Sequence, residues 1–180
     1  ALGVQDFGIY NVVGSFVTML GFLNTAMSTA TQRYLTYEIG KNDFDQLRNI
    51  FSMSLNIHLI ISVSIFILGE IFGIFLISLI NIPSSRIVAA KLVYQFSILT
   101  TMVNMISVPF SALIIAHEQM RAFAAISIFD AILKFLIAFI LVDIDSDKLI
   151  IYSLLILFES MIIRLIYGIF CRKHFREIRY

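Results

Sequence analysis

Charge is scarce in this 180-residue chain: Asp, Glu, Lys and Arg make up 14% of it, against about a quarter in soluble domains. With 59% hydrophobic residues and a mean hydropathy of +0.94, that scarcity excludes a soluble globular fold. The net charge of +1 gives no bulk attraction to nucleic acid, so what matters is where the charges sit. Cysteine occurs once, at Cys171, which rules out an internal disulfide; the residue reads as a small side chain at a helix end. No basic stretch followed by a cleavage pattern marks a signal peptide, and the chain opens on Ala, so it reads as a piece of something longer. The period-two alternation of strands is missing, as are low-complexity linkers. There is no Walker motif, dinucleotide fingerprint, nucleophile elbow or set of paired metal ligands, so neither an enzyme nor a cofactor is expected. His58, His117 and His174 lack zinc-ligand spacing and read as residues near one membrane interface.

What the chain has instead is long apolar runs. Five are long enough to cross a bilayer as helices: about Gly8–Tyr34, Ile50–Ile80, Arg86–Ala116, Arg121–Val142 and Leu149–Phe170. Gly40, Lys41, Asn42 and Asp43 separate the first two, and Asp43 with Gln46 predicts a capping box for the second. Pro83 ends the second span, and Ser84 or Ser85 can cap the third. His117–Gln119 and Asp143–Lys148 are short polar turns, so consecutive helices should be antiparallel neighbours. The fold class is therefore an all-α integral membrane bundle of five transmembrane helices.

Basic residues set the expected orientation. One side carries Arg33, Lys41, Arg48, Arg121, Arg172, Lys173, Arg176 and Arg179; the other carries only Arg86, Lys91 and Lys148, the last beside Asp143, Asp145 and Asp147. The positive-inside rule puts the first group in the cytoplasm, the chain's start outside and its basic tail against cytoplasmic headgroups. An odd number of spans with an external start implies a preceding helix. The second span exceeds what a hydrocarbon core of about 30 Å needs, so Phe51–His58 should lie at or beyond the cytoplasmic surface.

Polar groups inside the spans are the candidate functional residues, because charge at bilayer depth is costly. Asp130 and Lys134 sit one turn apart in the fourth span, in the order favoured for a helix ion pair. They are either a self-neutralising pair that orients the helix or a cavity-lining pair; Ala124, Ser127, Ala131 and Ala138 recur on their face. Glu70 has no cation within reach on its own helix and is either an ion-coupling carboxylate or the partner of Lys134 or Arg164. Gly69 and Gly73 beside it read as a close-packing motif. Glu159 is central in the fifth span. Arg164, diverging from it around the helix, could snorkel to the headgroups or bind phosphate. Arg33 ends a polar tract that begins at Asn24 and suits water or close packing better than lipid; it is a membrane anchor or a cavity cation. Asn104, Ser107 and Ser111 form a similar stripe on the third span, where Pro109 predicts a kink.

The opening Leu2-Gly3-Val4-Gln5-Asp6-Phe7-Gly8, then Gly21-Phe22-Leu23-Asn24-Thr25-Ala26 leading to Gln32-Arg33-Tyr34, and Glu38-Ile39-Gly40-Lys41 resemble a known group. So do Tyr94-Gln95-Phe96-Ser97 and Ala116-His117-Glu118-Gln119. The group is the O-antigen and capsule repeat-unit flippases of the multidrug/oligosaccharidyl-lipid/polysaccharide exporter superfamily. The resemblance implies a transporter of 12–14 helices in two lobes, with these spans as the second to sixth helices of the N-terminal lobe. The first helix and the C-terminal lobe would then be its partners within the same protein. It also implies a bacterial inner-membrane location, membrane lipid as the setting, and an undecaprenyl diphosphate-linked oligosaccharide as substrate. Arg33 falls on the family's Gly…Ala…Arg-Tyr pattern, which loosely assigns it a cavity role. Lys134, Arg164, Asn24 and Asn104 join it as cavity candidates, and Glu70, Asp130 and Glu159 as ion-coupling candidates, from burial and charge alone. The rivals are a cation-coupled multidrug exporter of the same superfamily and a non-transporting membrane scaffold.

Overall fold

The computed structural model describes residues 8, 10, 11, 21–79, 86–143, 147–175 and 178. Among them are five long α-helices and no strand: α1 (Gly21–Lys41), α2 (Phe44–Leu79), α3 (Ile87–Ala116), α4 (Met120–Ile140) and α5 (Lys148–His174). The expected class, an all-helical membrane bundle, is the one observed. Four of the helices contain stretches long and apolar enough to cross a membrane: Phe44–Gly73, Ile87–Ala116, Met120–Ile140 and Lys148–His174. Residues 9 and 12–20 of the expected first span lie outside the described residues, and its helix runs past Tyr34 to Lys41. α1, α2 and α5 each outrun the expected span at one end or both, because polar residues such as Glu38 and Lys173 continue a helix as readily as leucine does. α3 and α4 keep close to theirs.

The helix ends follow local chemistry. Asp43 caps α2, its Oδ1 accepting from the Gln46 N–H at 3.0 Å. The reciprocal arm of the expected box is not needed, since the Asp43 N–H donates to the Glu38 carbonyl at 3.3 Å. That bond closes the end of α1 around Asn42, whose φ of 57° is tolerated by a short amide side chain. The α3–α4 turn repeats the device with Glu118 at φ 57° and Gln119 N–H donating to Ile114 O at 3.0 Å. At the start of α3, Arg86 holds the cap position without a side-chain cap bond; Pro83, Ser84 and Ser85 lie outside the described residues. Asp147 caps α5 through the Leu149 N–H at 3.2 Å and also accepts Arg86 Nη1 at 2.6 Å, tying the first turns of α3 and α5 together.

α3 is central and touches each of the other four helices, whereas α4 meets only α3 and α5 among the described helices. Gly69 and Gly73 of α2 lie against Ile98 and Tyr94 of α3, so the close-packing reading of the glycine pair holds. Without a Cβ in the way, the Tyr94 hydroxyl crosses to donate to Gly69 O at 2.6 Å. At the opposite end of this contact Phe51 and Phe110 meet edge to face, centroids 5.3 Å apart. Phe110 belongs to a core with Leu35, Leu47, Leu113, Ile114, Cys171 and Phe175. α3 continues through Pro109, and Ser107 and Ser111 direct their hydroxyls to carbonyls of their own helix, Val103 O and Val108 O.

Polarity runs opposite to that of a soluble domain. Ser54, His58, Ser62, Thr101, Ser153, Glu159 and Ser160 are buried, while Ile60, Ile67, Phe135, Phe139, Leu165 and Ile169 are exposed. A contiguous apolar exterior of this kind is expected against lipid and would aggregate in water.

Candidate functional site

The seam between α4 and α5 gathers three of the predicted charged residues. Lys134 Nζ donates to Asp130 Oδ2 at 2.8 Å, the favoured one-turn pairing. From α5, the Glu159 carboxyl comes within hydrogen-bonding reach of Asp130 and within the field of Lys134. Glu159 is buried, and its Oε1 has no partner. Two carboxyls thus share one ammonium. Fully ionised, the trio has one surplus negative charge, and one added proton or cation makes it neutral. Lys134 is half exposed, on the same arc of α4 as Ala124, Ala131 and Ala138, which are exposed as well. The three alanines of the small-residue stripe therefore face away from the described helices, whereas Ser127 is half-buried and meets Tyr167 of α5.

The remaining candidates are dispersed. Of the two readings of Glu70, the pairing with Lys134 or Arg164 is not the one observed; its Oε2 accepts from Gln95 Nε2 of α3 at 3.0 Å and its Oε1 is unpartnered among the described residues. The reason is register: the glycine contact sets α2 beside α3 with Glu70 level with Gln95. Arg164 lies with its guanidinium carbon 3.8 Å from the Phe110 ring centroid, a cation–π contact between α5 and α3. Asn104 is exposed on α3, and Asn24 is half-buried with its Oδ1 unpartnered.

Arg33 stands on a different kind of surface. The exposed arc of α1 is formed by Thr25, Ala26, Thr29, Ala30, Arg33, Tyr34, Thr36, Tyr37, Gly40 and Lys41. From Asn24 to Lys41, where the side chains are described, no Leu, Ile, Val, Met or Phe occurs on it, in contrast to the exposed arcs of α2, α4 and α5. Lys41 Nζ sits 4.2 Å from the Tyr37 ring centroid and 4.0 Å from Glu38 Oε1. Arg33 has no carboxylate partner among the described residues. α1 therefore offers hydroxyls, aromatic rings and one uncommitted guanidinium on a face unsuited to lipid.

One histidine was misjudged from sequence. His58 is not interfacial but completely buried, with Nδ1 2.7 Å from Ser54 O. Its place at i+4 from Ser54 and i−4 from Ser62 was the available signal, since that spacing keeps all three on one helix face. His117 and His174 instead stack on Phe175 and Phe170, each with centroids 4.2 Å apart.

The sequence model of the MatE family matches residues 1–140. No curated protein and no solved structure matches the chain.

Proposed function

This chain belongs to the MatE family of membrane transporters, and we propose that it forms part of the N-terminal lobe of a flippase for lipid-linked oligosaccharide. The observation that carries this reading is the exposed arc of α1, polar from Thr25 to Lys41 and free of large aliphatic side chains. In a transporter that alternates between two openings, such a face lines the wet passage. The lipid chain stays outside while the headgroup moves along α1. Arg33 is the group suited to a diphosphate, because a guanidinium binds phosphate oxygens in a fork and this one has no competing carboxylate among the described residues. Lys134 is less suited, being held by Asp130 and faced by Glu159. The acid-rich trio is instead the element that takes up a proton or cation and couples it to rocking of the lobes. The chain's start would lie in the periplasm and the basic end of α5 in the cytoplasm of a bacterial inner membrane.

The two carboxyls around one ammonium also favour a second reading, cation-coupled export of drugs, in which that cluster binds the ion and α1 contributes little. Export measurements on the full-length protein separate the two. Arg33→Ala should abolish surface-glycan export while leaving membrane insertion intact. Normal glycan export in that variant, with drug resistance lost in Asp130→Asn, would favour the drug exporter and remove the flippase reading.

A further inference from the structure

One stripe of α2 buries hydroxyls and an imidazole where aliphatic side chains would be usual. Phe51, Ser54, His58, Ser62 and Ile65 follow at three- and four-residue spacing, all buried, with His58 and Ser62 at 0% exposure. The imidazole is held by its own helix: Nδ1 lies 2.7 Å from Ser54 O and 3.3 Å from Ser54 Oγ. Ser54 Oγ in turn meets Thr31 Oγ1 of α1 at 3.1 Å. A carbonyl only accepts, so Nδ1 carries the ring proton and Nε2 of the neutral ring is a bare acceptor. Among the described residues Nε2 has no partner, and neither has Ser62 Oγ one turn further on. Leaving two such groups buried and unpaired is unfavourable, because each has given up its hydrogen bonds to water. The facing helix adds a third group in need of a donor. Pro109 has no N–H to offer the Met105 carbonyl, and Met105 packs in one cluster with Ile61 and Ile65 of α2.

We propose that a water molecule is bound in this α2–α3 seam, donating to His58 Nε2 and hydrogen-bonded to Ser62 Oγ. The site asks for a ligand that donates to a nitrogen lone pair, serves a hydroxyl beside it and fits between two packed helices. Water meets all three conditions, and buried waters usually join two to four groups of this kind. With it, Thr31, Ser54, His58 and Ser62 become one hydrogen-bonded line from α1 along two turns of α2. Every member of that line carries an exchangeable proton. The seam is hydrated while the opposite face of α2, with Ile57, Ile60 and Val63, remains apolar.

X-ray radiolytic footprinting of the full-length protein in lipid nanodiscs, prepared in ¹⁸O-labelled water, tests this. Radiolysis of a bound water oxidises the side chain beside it even where bulk solvent has no access. His58 should take up ¹⁸O faster than Tyr94, which is equally buried and has its hydroxyl satisfied by Gly69 O. In Ser62→Val, which removes the hydroxyl and fills the space, His58 labelling should fall to the rate of Tyr94. Labelling of His58 no faster than Tyr94 in the unaltered protein would overturn the proposal, as would undiminished labelling in Ser62→Val. Should that variant fail to insert, the comparison within the unaltered protein decides alone.

Discussion

At Lys134 a single ammonium faces Asp130 on its own helix and Glu159 on the next. Removing it leaves two carboxyls with no counter-charge, whereas removing Glu159's charge relieves the surplus. Lys134→Ala should therefore destabilise the folded protein in detergent by about 1–2 kcal/mol, less than breaking a fully buried pair because Lys134 is half exposed. Adding Glu159→Gln to that variant should recover part of the loss, read from thermal melting. A double variant no more stable than Lys134→Ala would mean that Glu159 does not share the ammonium. At this scale the sequence was legible where partners are local. The one-turn spacing of Asp130 and Lys134 announced their bond. The partners of Glu70, Glu159 and Arg164 lie on other helices, and helix register across a glycine contact or over Phe110 has no signature in a single segment. His58 was misread for a related reason: a span boundary drawn from hydropathy put it at the membrane surface, while its burial is set by α1 and α3.

Among the helices, α1 differs from the rest in what it shows outward. Three helices, α2, α4 and α5, expose isoleucine, leucine and phenylalanine; α1 exposes threonine, alanine, tyrosine and two cations. If its outer arc faces water, cysteine placed at Thr29 should react with a membrane-impermeant thiol reagent in the full-length protein with other reactive cysteines removed. Cysteine placed at Ile60 or Phe135, both on apolar exposed arcs, should not. Equal protection of all three sites would assign the α1 face to lipid or to tight packing. The polar tract from Asn24 to Arg33 pointed to this in the sequence, because hydroxyls and amides at helical spacing have no place against hydrocarbon. The other spans were legible from run length alone. Their ends were legible in part: the Asp43 cap and the end of α3 at Ala116 were expected, whereas the run of α1 to the left-handed turn at Asn42 and the extension of α5 to His174 were not.

For the molecule as a whole, the position of α3 decides how the bundle holds together. It touches every other helix, and the Arg86–Asp147 bridge fastens its first turn to that of α5, leaving α4 attached at one side. Asp147 contributes twice, as cap and as counter-charge. Asp147→Asn keeps a capping oxygen and loses only the ion pair, whereas Asp147→Ala loses both and should cost about 1 kcal/mol more. Melting temperatures of the two variants check this; identical values would show that the cap contributes nothing. Neither role was evident beforehand, because Arg86 and Asp147 are 61 positions apart and only the folded contact of α3 with α5 unites them. The one-sided attachment of α4 also bears on how the chain is made. Its Asp130–Lys134 bond lies within a single helix, so it can form once α4 has coiled. Glu159 arrives with α5, and at ~5–20 residues per second of synthesis the delay is on the order of seconds. During that interval the middle of α4 can meet lipid with Asp130 and Lys134 already paired, before the second carboxyl of the cluster has been translated.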